Sequence, residues 1–128
     1  MSGISDLDEL LHSMRPEARP GEYVVVTVAG DLDIPFEALI REEEGTTLVL
    51  KRDDADAAGI PYDFVAAWIT LTVHSDLAAV GLTAAISTAL ANEGISCNVL
   101  AGFHHDHLLV PAERLDDALA ALATLSEL

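Results

Sequence analysis

The sequence predicts an α+β fold in which antiparallel sheets carry helices on one face. Residues 67–74 (AWITLTVH) and 95–101 (ISCNVLA) alternate between apolar and polar side chains, which is typical of half-buried strands. Between them, Leu82, Ile86 and Leu90 recur every four residues, as on the apolar face of a helix. A helix between two half-buried strands predicts a sheet that is covered on one side.

The first half of the chain predicts a helix, three strands and a short helix. A capping segment at Ser5-Asp6 begins the first helix, because acidic residues follow it where the helix dipole favours them. Pro16 and Pro20 end that helix and start a loop. The strongly β-branched run 23–29 predicts a strand covered on both faces, either central in a sheet or at an interface. The remaining predicted elements are strands 36–43 and 46–51, joined by a hairpin turn at Glu43-Glu44-Gly45, and a helix over 53–58.

The second half predicts a strand, a helix, two strands and a final helix. Gly94 is placed to end the first of these helices in the left-handed conformation. Pro111 precedes the last helix, where its missing N–H costs nothing. The predicted bounds are strand 67–74, helix 79–93, strands 95–101 and 107–110, and helix 112–125.

Part of this half resembles the ACT domain, a βαββαβ module that binds amino acids and similar metabolites. The resemblance lies in Val80-Gly81-Leu82, in the run 85–96 (AISTALANEGIS) and in Asn98. Val80 and Ser96 depart from the family pattern, which has Pro and Asn there. The wider sequence is similar to short, uncharacterised bacterial proteins. The resemblance implies a ferredoxin-like fold of two interlocked ACT-like units, a degenerate one over 1–62 and a second over 63–128.

The second unit is one strand short of the ferredoxin-like plan. We expect the N-terminal half or another molecule to supply that strand, so that the halves do not fold independently. Open sheet edges and a borrowed strand favour a homodimer.

Composition excludes several classes of partner. A net charge of −16 and a pI near 4.2, with Lys51 as the only lysine, argue against nucleic acid and anionic membranes. The single cysteine, Cys97, cannot form an internal disulfide and predicts a buried, inert thiol. The start of the chain has no secretory pattern and no apolar run is long enough to span a membrane, so we expect a cytoplasmic protein.

The turn from His74 to Thr83 is the first candidate ligand site. A helix start offers free N–H groups to a carboxylate, and Gly81 permits close approach of a ligand. The resemblance implies ligand contacts at Val80, Gly81, Leu82 and Thr83. Alternatively, Gly81 only permits close packing of the helix on the sheet.

Two polar groups are further candidates. Ser96 and Asn98 share a face opposite Cys97, and we expect them beside the polar face of strand 67–74, which includes His74. Arg41 and Glu42 offer partners for a carboxylate and an ammonium. The competing interpretations are plain solvent exposure for the first group and a solubilised edge strand for the second.

No catalytic, cofactor or metal site is predicted. His104, His105, Asp106 and His107 have suitable ligand types, but neighbouring residues of a strand face opposite ways, which disfavours a metal site. The similar proteins carry His-Asp-His at this turn, so the resemblance implies a hairpin role, with Asp106 bonding its own backbone. No nucleophile motif or phosphate loop is present. The resemblance implies a non-enzymatic, regulatory protein that binds an amino acid or a related small metabolite and reports it through an interface. The alternative is a ligand-free interaction module with the same fold.

Overall fold

The computed structural model describes residues 6–30, 32–73 and 80–127. Its elements, in chain order, are α1 (Leu7–Ser13), β1 (Pro16–Ala18), β2 (Tyr23–Val28), β3 (Ala38–Glu42), β4 (Gly45–Lys51), α2 (Arg52–Ala57), β5 (Val65–Leu71), α3 (Leu82–Asn92), β6 (Asn98–Ala101), β7 (Asp106–Pro111), a 3-10 turn (Ala112–Arg114) and α4 (Leu115–Ser126).

The chain forms two compact units that share strand β5. Unit 1 comprises the chain up to Arg19 together with the chain from Trp68 onward, and unit 2 is Pro20–Ala67. The first three residues of β5 therefore belong to unit 2 and its last four to unit 1. The predicted interlocking of two ACT-like units in one chain is confirmed.

Unit 1 has the strand order β1-β5-β7-β6. Strand β1 runs antiparallel to β5, with Pro16 opposite Leu71 and Ala18 opposite Ile69. The strand that the second half lacks is thus supplied by the same chain, from a segment that the sequence predicts to be loop. Three helices, α1, α3 and α4, pack on one another. Their fully buried side chains, with those of the sheet, include Leu10, Ile69, Leu71, Leu90 and Leu122.

Unit 2 has the strand order β3-β4-β2-β5. Strand β2 is central, as the sequence predicts, because it pairs with β4 along its length and with β5 at Tyr23 and Val24. One face of β2 is buried at Val24 and Val26, whereas on the other face Tyr23 is buried and Val25 is 37% exposed. The predicted cover on both faces is therefore found only at the start of the strand. Helix α2 contributes Ala55 to a core that also contains Val24, Val26, Leu48 and Leu50.

Several element ends differ from the prediction. The strand predicted over 67–74 spans Val65–Leu71, and the one predicted over 95–101 begins only at Asn98. The helix predicted from residue 79 begins at Leu82. Residues 74–79, and with them His74, lie outside the described residues. At the chain start, Asp6 caps α1 through a 3.0 Å hydrogen bond that its carboxylate accepts from the Glu9 N–H.

Candidate functional site

The entry to α3 presents two exposed side chains on either side of a constrained glycine. Gly81 is the N-cap of the 11-residue helix and has φ 102°, a conformation that an L side chain resists. Val80 is 83% exposed, and Thr83 is also exposed. Leu82 is buried and anchors the first turn in the core. Of the four predicted contacts here, Val80, Gly81 and Thr83 therefore border solvent and Leu82 does not.

Helix α1 packs directly against Gly81. A Cβ built on Gly81 would lie 3.0 Å from Cδ2 of Leu7, which is closer than nearly all real contacts of that kind. Gly81 thus has a packing role beside any ligand role. Both interpretations offered by the sequence, close packing and ligand access, are compatible with the geometry of these residues.

Ser96 and Asn98 are both exposed, on the chain that enters β6. Asn98 lies opposite Leu109 of β7. Because β7 lies between β5 and β6, Asn98 is separated from Thr70 by a whole strand. The polar groups of β5 meet a side chain of β7 instead. Cys97, between the two, is half-buried, and burial raises the pKa of its thiol.

A polar cluster that the sequence does not predict joins β5 and β7 of unit 1 with Arg19, the residue that follows β1. The Trp68 indole N–H donates to Nδ1 of His107 at 3.1 Å, and Thr70 Oγ1 lies 3.0 Å from the same nitrogen. The Arg19 guanidinium stacks over the indole, 4.1 Å from the ring centroid, as cation–π pairs do. Alternation along β5 places Trp68 and Thr70 on one face. The strand that faces them was not evident from periodicity.

The surroundings of His107 favour the neutral form of its imidazole. Burial lowers its pKa most, and the positive charge of Arg19 and then that of His105 lower it further, against a weaker opposite effect of Asp106. An indole N–H can only donate, so Nδ1 must be an acceptor and the proton of the neutral ring lies on Nε2. His107 therefore belongs to a packed hydrogen-bonded cluster.

The histidine turn does not gather metal ligands in the described part of the chain. No group of three or more His, Cys, Asp or Glu side chains is placed to hold an ion among residues 6–30, 32–73 and 80–127. Instead, the Gly102 N–H donates to the His105 carbonyl at 2.9 Å and closes the hairpin. This backbone bond agrees with the hairpin role that the sequence favours.

Arg41 and Glu42 lie in unit 2, on strand β3, and both are exposed. The Glu42 carboxylate accepts a hydrogen bond from the Thr47 hydroxyl of the neighbouring strand β4. Arg41 lies opposite Thr46. The geometry gives Glu42 a role in holding β3 to β4.

A second charged group in unit 2 fixes Arg52. Its Nη1 donates to Glu22 and its Nε to the Tyr62 hydroxyl, both at 2.8 Å. Tyr62 in turn donates to Asp56 at 2.7 Å. These bonds raise the pKa of Arg52 above its ordinary value, with the Tyr62 contact contributing most. Neither Arg52 nor its partners were predicted as site residues, and nothing in the local sequence pattern distinguishes them.

The fold is that of an α+β protein built from two interlocked ferredoxin-like units. Two ACT domain family models match in tandem, one over residues 2–67 and one over residues 64–124. The chain belongs to the ACT domain family, whose members are regulatory modules. Among curated proteins, none matches the sequence.

Solved structures share this fold. A protein of unknown function from Vibrio cholerae, described as a possible transport protein, is 48% identical, with a TM-score of 0.86 over 98% of this chain and 99% of that chain. A protein from Agrobacterium tumefaciens is 22% identical, with a TM-score of 0.64 over 88% and 89%. The ligand-free regulatory subunit of aspartate kinase from Thermus thermophilus is 14% identical, with a TM-score of 0.65 over 86% and 95%. At these lower identities the likeness shows the fold alone.

No described helix is both long and apolar enough to cross a membrane.

Proposed function

We propose that the protein is a non-enzymatic regulator that binds a small molecule, an amino acid or a related metabolite, and reports it through a change at an interface between units or copies. The observation that carries this proposal is the entry of α3, where Gly81 adopts a left-handed conformation between exposed Val80 and Thr83. The first turn of a helix has unpaired N–H groups and a favourable dipole for a carboxylate. Membership of a family of regulatory modules supports the same function.

The regulatory step follows from differential binding. A ligand at the α3 entry favours the arrangement in which its contacts are complete, and it shifts the population toward that arrangement. A homodimer in the cytoplasm is the assembly we propose, with Ser96, Asn98, Arg41, Glu42 and His74 as further ligand contacts. No cofactor, metal, nucleic acid or membrane takes part in this mechanism.

The rival function is a ligand-free interaction module with the ACT fold. The observations that favour it are the contact between Leu7 and Gly81 and the engagement of Glu42 by Thr47, since each gives a predicted ligand contact a structural role. Under this function the exposed polar residues face water separately and bind nothing small.

Thermal unfolding of the full chain in the presence of each of the twenty amino acids tests the proposal. We expect at least one to raise the melting temperature at millimolar concentration, since a ligand that binds only the folded state stabilises it. The same amino acid should change the dimer fraction in native mass spectra. The variant Thr83→Val should weaken the response, whereas Thr88→Val, an exposed threonine further along α3, should not. No response to any amino acid leaves the interaction module as the function.

A further inference from the structure

A cavity of about 400 Å³ lies in unit 2 beside Arg52, lined by Pro20, Gly21, Glu22, Lys51, Arg52 and Asp53. Its volume falls within the roughly 300–1,000 Å³ typical of small-molecule sites. All of its lining residues belong to unit 2. It shares no residue with the α3 entry, which belongs to unit 1, and it uses none of the ligand contacts proposed above.

The cavity brings together two positively charged side chains, Lys51 and Arg52, and two carboxylates, Glu22 and Asp53. The sequence has 6 Lys and Arg residues against 22 Asp and Glu. Lys51 and Arg52 are the only two basic residues adjacent in sequence, and Lys51 is the only lysine. Most of such an acidic surface repels an anionic group. The adjacent cations Lys51 and Arg52 instead attract a small carboxylate.

Arg52 is preorganised at this cavity. Tyr62 and Glu22 hold its Nε and Nη1 at 2.8 Å each, while Nη2 has no hydrogen-bond partner among the described residues. Its backbone N–H is also occupied, since it donates to the Glu22 carbonyl at 2.9 Å. The guanidinium plane is thus fixed before any ligand arrives, which reduces the ordering cost of binding. The recognition is by side chains, not by the start of the short helix α2.

Two further charges at the cavity are free. Among the described residues, neither the Lys51 ammonium nor the Asp53 carboxylate makes a hydrogen bond or ion pair, and both side chains are exposed. Glu22 is already paired with Arg52 across 2.8 Å. Among the described residues, the groups without a protein partner are therefore Nη2 of Arg52, the Lys51 ammonium and the Asp53 carboxylate. An α-amino acid carries the complementary pair of charges.

We infer that this cavity is a second ligand site, in which Lys51 and the free edge of Arg52 bind the carboxylate of an α-amino acid and Asp53 binds its ammonium group. The inference extends the proposed function to a second site and rests on it only in the choice of amino acids as probes. Because the site is open to solvent, its ion pairs are screened, and binding weakens as salt is raised.

The test is an NMR titration of the ¹⁵N-labelled full chain with each of the twenty amino acids, followed at the amides of Gly21, Arg52 and Asp53. We expect at least one amino acid to give saturable shifts there. The corresponding amine and the corresponding carboxylic acid, each lacking one charge, should bind up to about fivefold more weakly, as loss of one exposed ion pair predicts.

Variants then assign the charges. Lys51→Gln and Asp53→Asn should each weaken binding by up to about fivefold, and Lys51→Arg, which keeps the charge, should retain most of the affinity. Asp63→Asn is the matched control, because Asp63 is an exposed carboxylate of the same unit outside the cavity. Unchanged melting temperatures would show that the variants remain folded.

The outcomes separate the two proposals. Shifts at Gly21, Arg52 and Asp53 that Lys51→Gln weakens support the second site, whether or not the amides of residues 80–83 respond. Shifts confined to residues 80–83 overturn the second site and leave the proposed function standing. An absence of saturable shifts at the cavity with all twenty amino acids, or shifts that Lys51→Gln leaves unchanged, also overturns it.

Discussion

The indole N–H of Trp68 donates a hydrogen bond of 3.1 Å to Nδ1 of His107, and this bond links β5 to β7 in unit 1. The centroids of the two rings lie 5.3 Å apart and the ring planes are inclined at 60°. The Arg19 guanidinium stacks on the Trp68 indole. Only the neutral imidazole can accept this bond. The folded state of unit 1 is therefore coupled to the protonation of one side chain.

Stability should fall in mild acid because of His107. Its pKa is lowered from the ordinary 6.5 by burial and by Arg19, so below about that value the unfolded chain binds more protons than the folded one. The contribution of His107 is fully present above pH 6.5 and is lost as pH falls through the folded pKa. Chemical denaturation between pH 7 and 5 should show a shallower pH dependence in His107→Asn, which keeps an acceptor near the position of Nδ1. His12→Asn, at an exposed histidine, should retain the original slope; equal slopes in all three proteins would contradict the prediction.

The two donors to Nδ1 should be partly interchangeable. Trp68→Phe leaves Thr70 Oγ1 at 3.0 Å from His107 Nδ1, and Thr70→Val leaves the indole at 3.1 Å. Each single change removes one hydrogen bond, worth about 1 kcal/mol, but only the double change leaves the nitrogen without either partner, which costs about 1–3 kcal/mol more. A double-mutant cycle measured by urea unfolding should therefore give a combined loss larger than the sum of the single losses. An additive cycle would show that Nδ1 is satisfied by another group.

Gly81→Ala should destabilise the protein more than Gly94→Ala does. Both glycines flank α3 and have positive φ, 102° and 70°, so each change costs about 1–2 kcal/mol in backbone strain. At Gly94 the added methyl group meets nothing within 4 Å, whereas at Gly81 it meets Leu7 at 3.0 Å. Urea unfolding of the two variants isolates the packing contribution. Equal losses would indicate that Leu7 moves aside without cost.

Periodicity predicted the helices and most strands because each buries one face, but it could not find β1. Pro16–Ala18 is only three residues long, contains a proline and has exposed Glu17 and Ala18, so no alternation marks it. Its strand character comes from β5, which pairs with it at all three positions. The sequence pattern likewise identified some site residues and not others. Gly81 was evident from its place before an apolar helix face, whereas the bond between Trp68 and His107 joins residues 39 positions apart and depends on strand order.

Unit 1 should not fold cooperatively without β1 and α1. Residues 62–128 alone lack both β1, the partner of β5 at Ile69, Thr70 and Leu71, and α1, whose Leu10 is fully buried. Loss of a buried leucine alone costs about 2–5 kcal/mol, a large part of the stability of a domain of this size. We expect the fragment to unfold without a cooperative transition in circular dichroism, or to associate. The Ser126 hydroxyl donates to the Met14 carbonyl at 3.1 Å, so the end of α4 lies beside the chain that enters β1. A fragment in which residues 6–19 follow residue 127 through a flexible Gly/Ser linker should therefore regain cooperative unfolding, and a monomeric, cooperatively unfolding 62–128 would contradict the role given to β1.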